Sequence, residues 1–206
     1  MIQFRVDFLW GNTNIKNDKI TIVSYIIEIR TRLKTYDLIS GTAFVTLKED
    51  MGWGGILESL SREEMWKIKV NTTREEAKRL GEEFTRKVKI FINPNKHLWD
   101  LRILEKEEKL CIEGEGKGIY SAEVLTWWLE DAKERAAFDS LKNTWGYAEV
   151  IEGVKRGDIW KLRLKADSLA QAKKYIEEII VSKSQGKGLI INPHSQEYRL
   201  LSLCKL

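Results

Sequence analysis

The sequence predicts an α+β protein built twice over. Each half has the order β-α-β-β-α-β, with an antiparallel sheet and helices on one face, and the halves pack as a pseudo-dimer. Three observations carry this expectation. The only two prolines of the 206-residue chain lie in stretches that repeat one another, IFINPNKHLWDLRIL and LIINPHSQEYRLLSL. Upstream, GWGGILESLSREEMWKIKV (52–70) lies without gaps on GYAEVIEGVKRGDIWKLRL (146–164), with Gly52/Gly146, Glu58/Glu152, Arg62/Arg156, Trp66/Trp160 and Lys67/Lys161 identical. Between these blocks each copy carries a capping box, in TREEA (73–77) and SLAQA (168–172). A repeat of this length sets the organisation of the chain before any motif does, giving residues 1–105 and 106–206 as the two units.

The elements follow in order. IQFRVDFLW (2–10) and KLCIEGEG (109–116) read as opening strands. SAEVLTWWLEDAKERAAFDSLK (121–142) reads as an amphipathic helix, with Val124, Leu125, Trp128, Leu129, Ala132, Phe138 and Leu141 along one side. Its counterpart KITIVSYIIEIRTRLKTY (19–36) is rich enough in Ile and Val for a strand to compete, but the repeat favours a helix. GTAFVTLKED (41–50) then becomes an inserted strand. The 52–70 and 146–164 blocks read as β-hairpins turning at SREE and KRGD, with Gly157 free to take positive φ in the second. The capping boxes start helices whose apolar stripes are Ala77, Leu80, Phe84, Val88 and Ala172, Tyr175, Ile176, Ile179, Ile180. Asn93-Pro94 and Asn192-Pro193 lead into closing strands, where a residue without an N–H is tolerated.

Composition narrows the function classes. Hydrophobic residues at 43% and aromatics at 10% suffice for a packed core. The 35 basic and 31 acidic side chains leave a net charge of only +4, interspersed along the chain, and so no nucleic-acid-binding face is expected. The abundance of Glu and Lys is in keeping with a thermophilic composition. Cys111 and Cys204 show no CxxC spacing and read as buried cytosolic thiols. No leader pattern or long apolar run is present, so the reading is cytoplasmic, without membrane contact.

The repeated segments resemble PurS, the small subunit of the formylglycinamidine ribonucleotide (FGAM) synthase complex of purine biosynthesis. That family carries a GYxxV segment, a VRxGK turn and strand, a helix, and a closing pattern like NPVIEDYR. Gly146, Tyr147, Val150, Val154 and Gly157 match the first part, and Asn192, Pro193, Glu197, Tyr198 and Arg199 the last, with Asp158 standing where the family has Lys. In the first half Asn93, Pro94 and Trp99 fit, while Asp100 replaces the Arg and Glu63 the turn Gly. The resemblance implies a non-catalytic bridging subunit that holds PurL and PurQ together, with these residues as the partner-binding set. Each chain would supply two family copies, and a homodimer would supply four.

Searches for chemistry agree with that reading. His97 and His194 fall out of register in the two copies, so no shared base or metal role is expected of them, and no Ser/His/Asp or Cys/His pairing is visible. GEGKG (114–118) and SQGKG (184–188) lack the spacing of a Walker loop and read as turns. Catalytic residues, cofactors and metal are therefore not expected. Trp66 and Trp160 read as core, while of the adjacent Trp127 and Trp128 only one can face the same core. The alternative is a tandem α+β RNA-binding protein stacking bases on its sheets, although the RNP signature is absent.

Overall fold

A computed structural model describes residues 23–106, 110–182 and 188–206. They form one seven-stranded, mostly antiparallel sheet with four helices, so the α+β class holds. In chain order the elements are β1 (Val23–Leu33), α1 (Leu38–Glu49), β2 (Leu57–Thr72), α2 (Arg74–Lys87), β3 (His97–Leu104), β4 (Cys111–Glu113), β5 (Gly118–Trp128), α3 (Ala132–Asp139), β6 (Ile151–Ala166), α4 (Leu169–Ile180) and β7 (Gln196–Lys205). The sheet order is β3-β1-β2-β6-β5-β7-β4.

Several expectations need correction. The run expected as a helix at 19–36 is strand β1 over its described part. Its residues obey period two, with Ile27, Ile29 and Thr31 buried toward the helices and Glu28, Arg30 and Arg32 turned the other way. The expected helix at 121–142 splits into β5 and α3, because Ala122, Val124 and Thr126 alternate with Glu123, Leu125 and Trp127. Trp127 and Trp128 thus sit on opposite faces of a strand. The expected inserted strand at 41–50 belongs to α1, whose start is fixed by Asp37: its carboxylate accepts from the Ile39 N–H at 3.1 Å. Among the described residues the first half therefore runs β-α-β-α-β, and the second runs the same way after the short strand β4. The expected opening strand at 2–10 lies outside the described residues, and its counterpart is reduced to the three residues of β4.

The two hairpins are also not formed. Residues 57–72 and 151–166 are single sixteen-residue strands, β2 and β6, that run straight through SREE and KRGD and pair with each other. Gly157 is a strand residue opposite Met65, without positive φ. It stays Gly because a Cβ there would lie 2.7 Å from the Thr126 carbonyl oxygen and 2.8 Å from Leu125 Cδ1. The polar residues read as turns are tolerated mid-strand because charge from the facing strand meets them.

The capping boxes behave as expected. Thr73 Oγ1 accepts from the Glu76 N–H at 3.3 Å and Ser168 Oγ from the Gln171 N–H at 3.2 Å, starting α2 and α4. The expected apolar positions of both helices are buried in the core, with Tyr175 partly so.

All four helices lie on one face of the sheet, over two apolar clusters. In one, Leu47 of α1 packs with Tyr120, Val124, Trp160, Leu162 and Ile176 of the other half. In the other, Ala137 of α3 and Leu141 just after it pack with Ile27, Trp66, Ile68 and Phe84 of the first half. Each core thus borrows a helix across the centre. Burying a large apolar side chain is worth about 1.5–3 kcal/mol, so this exchange binds the halves strongly. Trp66 and Trp160 are core residues, as read.

Candidate functional site

β2 and β6 pair so that matched residues of the repeat exchange places across the sheet. Arg62 faces Trp160, Trp66 faces Arg156, and the matched pair Glu64 and Asp158 face each other. Main-chain bonds follow the same symmetry. Asn71 N–H donates to the Val150 carbonyl and Lys165 N–H to that of Ile56, both at 2.9 Å. Trp53 N–H donates to Leu47 O (3.0 Å) and Tyr147 N–H to Leu141 O (3.1 Å). Gly52 and Gly146 take φ of 77° and 75°, which favours glycine at both positions after the helical turn.

At the centre lies a charge cluster on the helix-bearing face. Arg62 reaches Asp37, the N-cap of α1, at 3.2 Å and Asp158 at 3.6 Å. Arg156 reaches Asp131, the N-cap of α3, at 2.9 Å and Glu64 at 2.5 Å. Each arginine therefore ties its own helix start to the carboxylate of the opposite strand. Thr31 and Thr126 donate to the carbonyls of Glu64 and Asp158, at 3.5 and 3.3 Å. Trp160 Nε1 donates to Thr126 Oγ1 at 3.2 Å. Trp66 Nε1 is buried without a partner, and its ring instead carries the Arg156 guanidinium at 5.6 Å.

The electrostatics divide the carboxylates. Burial acts to raise the Asp131 carboxyl, but the Arg156 guanidinium and the N–H groups of Lys133 and Glu134 outweigh it and hold the group below the usual range. Burial pushes Asp158 up, and Arg62 and Arg156 offset that only in part. Asp158 Oδ1 is buried without a hydrogen bond. On the opposite face, burial likewise acts to raise Glu28, and Arg30, Arg102 and Lys67 overcome it to keep it low. Chemically the cluster is a set of ion pairs aimed at one another, with Asp158 Oδ1 the carboxylate oxygen left without a hydrogen bond. Its work is to fix the central strands and helix starts.

The sequence-nominated residues are not gathered in one place. Asn93-Pro94 and Asn192-Pro193 form the same turn at opposite ends of the sheet. The Asn93 and Asn192 side-chain oxygens accept from Asn95 and His194 N–H groups at 3.1 and 3.0 Å, and their carbonyls from His97 and Gln196 at 2.9 Å. His97 Nδ1 and Gln196 Oε1 occupy equivalent places, accepting from the Asn93 and Asn192 N–H groups at 3.3 and 3.0 Å. His97 thus closes a turn. Trp99 stands on edge strand β3, 41% exposed. Tyr198 packs against the helix-side core, and burial, with Glu177 nearby, pushes its phenol up. Arg199 and Glu197 face Leu125 and Trp127 on the adjacent strand, alternating with Tyr198 and therefore turned to the other face. Tyr147 packs edge-on against Phe84 at 5.2 Å. Burial and a hydrogen bond to Glu83 push its phenol up to about 12.

Sequence reasoning matched Arg62 with Arg156 but missed their partners Asp37 and Asp131. Both stand immediately before a helix, and an Asp preceding a helical run was the available signal. The cysteines are also corrected: Cys111 is exposed, Cys204 is half-buried, and their sulfurs lie 3.9 Å apart. No helix among the described residues is long and apolar enough to cross a membrane. Comparison with protein-family models, curated proteins and solved structures found no match.

Proposed function

We propose that the chain is a non-catalytic assembly subunit of PurS type, two copies fused in one chain, bridging PurL and PurQ in FGAM synthesis. The observation that carries this reading is the pairing of the PurS-like motifs with a symmetric frame: the two Asn-Pro turns, the two capped helices and the two long strands recur with matching hydrogen bonds. A bridging subunit needs a rigid surface with two ends, and a stable contact takes typically about 800 Å² per partner. The turns at Asn93-Pro94 and Asn192-Pro193, with Trp99, Glu197 and Arg199 beside them, are the surface assigned to partners, and two chains associate as a homodimer.

Reconstitution tests the reading. The purified chain is expected to hydrolyse neither ATP nor glutamine, yet to restore FGAM formation when added to PurL and PurQ. Arg199→Ala should weaken co-elution with those subunits while leaving the thermal midpoint near wild type; Tyr198→Ala, which opens the core, should lower the midpoint. Turnover of ATP or glutamine by the chain alone, or FGAM formation indifferent to its addition, would rule the proposal out.

A further inference from the structure

Away from the proposed partner surface, the last edge of the sheet brings together three metal-type ligands. β4 runs parallel to β7, with Cys111 opposite Ser202 and Glu113 opposite Cys204. Cys111 and Glu113 are two residues apart on one strand and share a face, which Cys204 joins from the next strand. The two sulfurs are 3.9 Å apart, and they and a Glu113 carboxylate oxygen all lie within 4.8 Å of one another. Two thiolates bound at ~2.3 Å to one tetrahedral ion stand about 3.8 Å apart, whereas disulfide sulfurs stand ~2.0 Å apart. The register points the same way. The cysteines are diagonal neighbours in a parallel pair, one two-residue step along strands ~4.8 Å apart with a rise of ~3.3 Å per residue, which puts their Cα atoms about 8 Å apart, beyond the ~4.4–6.8 Å usual for a disulfide. A shared ion spans that gap without moving either strand.

The surroundings hold the triad in place. The Gly114 backbone approaches β7 so closely that a Cβ would lie 2.4 Å from Lys205 Cβ. The buried Tyr120 donates to the Gly116 carbonyl at 2.6 Å, and Lys205 Nζ to that of Glu115 at 2.8 Å. We infer that Cys111, Glu113 and Cys204 form a binding site for one thiophilic divalent cation of the zinc class, with a fourth position open to water. The cation fastens a three-residue edge strand, each residue of which is exposed, to the sheet.

The test is titration of the reduced full-length chain with Cd²⁺ and Zn²⁺. Cadmium should give one equivalent of a thiolate-to-metal ultraviolet band, with release of thiol protons and a raised thermal midpoint. Cys111→Ser and Cys204→Ser should abolish the band, and Glu113→Gln should weaken affinity by about tenfold or more. Cys111 and Glu113 are exposed and Cys204 is half-buried, so the cation-free variants should unfold at the wild-type temperature, which separates loss of the site from loss of the fold. Absence of the band in wild type, retention of it in either Ser variant, or a disulfide that forms and persists in the presence of zinc would overturn the inference.

Discussion

The two arms of the central charge cluster occupy matched positions and differ by one methylene. Glu64 reaches Arg156 at 2.5 Å, while Asp158 stops 3.6 Å from Arg62 and leaves one buried oxygen without a hydrogen bond. The arginine and helix cap are drier in the Arg156 arm, with side-chain exposures of 12% and 6% for Arg156 and Asp131 against 21% and 16% for Arg62 and Asp37, whereas Glu64 at 25% is more exposed than Asp158 at 18%. Asp131 caps two helical N–H groups where Asp37 caps one. A repeat can therefore preserve a frame while its contacts are made unequally, the longer side chain closing the gap between the two strands that the shorter one leaves open.

Substitutions break or sharpen this contrast. The largest effect is expected from removing each arginine: Arg156→Met should cost about 3 kcal/mol, because it breaks close pairs at 2.5 and 2.9 Å to two partly buried carboxylates, and Arg62→Met less, because its pairs are longer, at 3.2 and 3.6 Å. Equal urea midpoints for the two variants would erase the difference between the arms. Next, Gly157→Ala should lose roughly 1–3 kcal/mol as the new methyl meets the Thr126 carbonyl and Leu125. If Gly157 were instead a turn glycine, the neighbouring Asp158→Gly would be tolerated, and a drop in thermal midpoint there would exclude it.

The pH dependence separates the acids. Asp131 titrates lower in the folded than in the unfolded chain, so its stabilisation is present above the unfolded value of about 4 and is lost as pH falls through the folded one. Asp131→Asn keeps a capping side chain and should lower stability at neutral pH, with the gap to wild type closing in acid. Asp158 titrates higher when folded, so its ionised form opposes folding, and stability falls as pH rises through that range. Asp158→Asn should therefore be neutral or stabilising at pH 7. The smallest effect is expected for Asp158→Glu, which restores the missing methylene and should gain about 0.5–1 kcal/mol in chemical denaturation.

Much of the frame was legible, and what was missed has physical causes. The capped helices at Thr73 and Ser168 and the Asn-Pro strand entries were read from short-range signals that the structure keeps. The helix reading of 121–142 rested on its own apolar spacing, the repeat carried that reading to 19–36, and 41–50 was left over as an inserted strand; the structure reverses all three. The β-branched run in β1 obeyed period two as well as 3/4 spacing. The hairpins failed for another reason: SREE and KRGD carry the polar residues of a turn, but their charges are satisfied by long-range pairing between β2 and β6, which no local window reports. The cysteine cluster was hidden by 93 residues of separation.

The most direct measurement is of the central pairing itself. Glu64 and Asp158 are directly opposite in antiparallel strands, where Cα atoms typically lie ~4.5–5.5 Å apart, within disulfide range. In a chain already carrying Cys111→Ser and Cys204→Ser, the pair Glu64→Cys and Asp158→Cys should oxidise to an intrachain disulfide, running as a monomer in non-reducing electrophoresis and resisting thermal unfolding until reduced. Thiols that stay free, or that link only between chains, would contradict a single sheet joined through matched positions of the repeat.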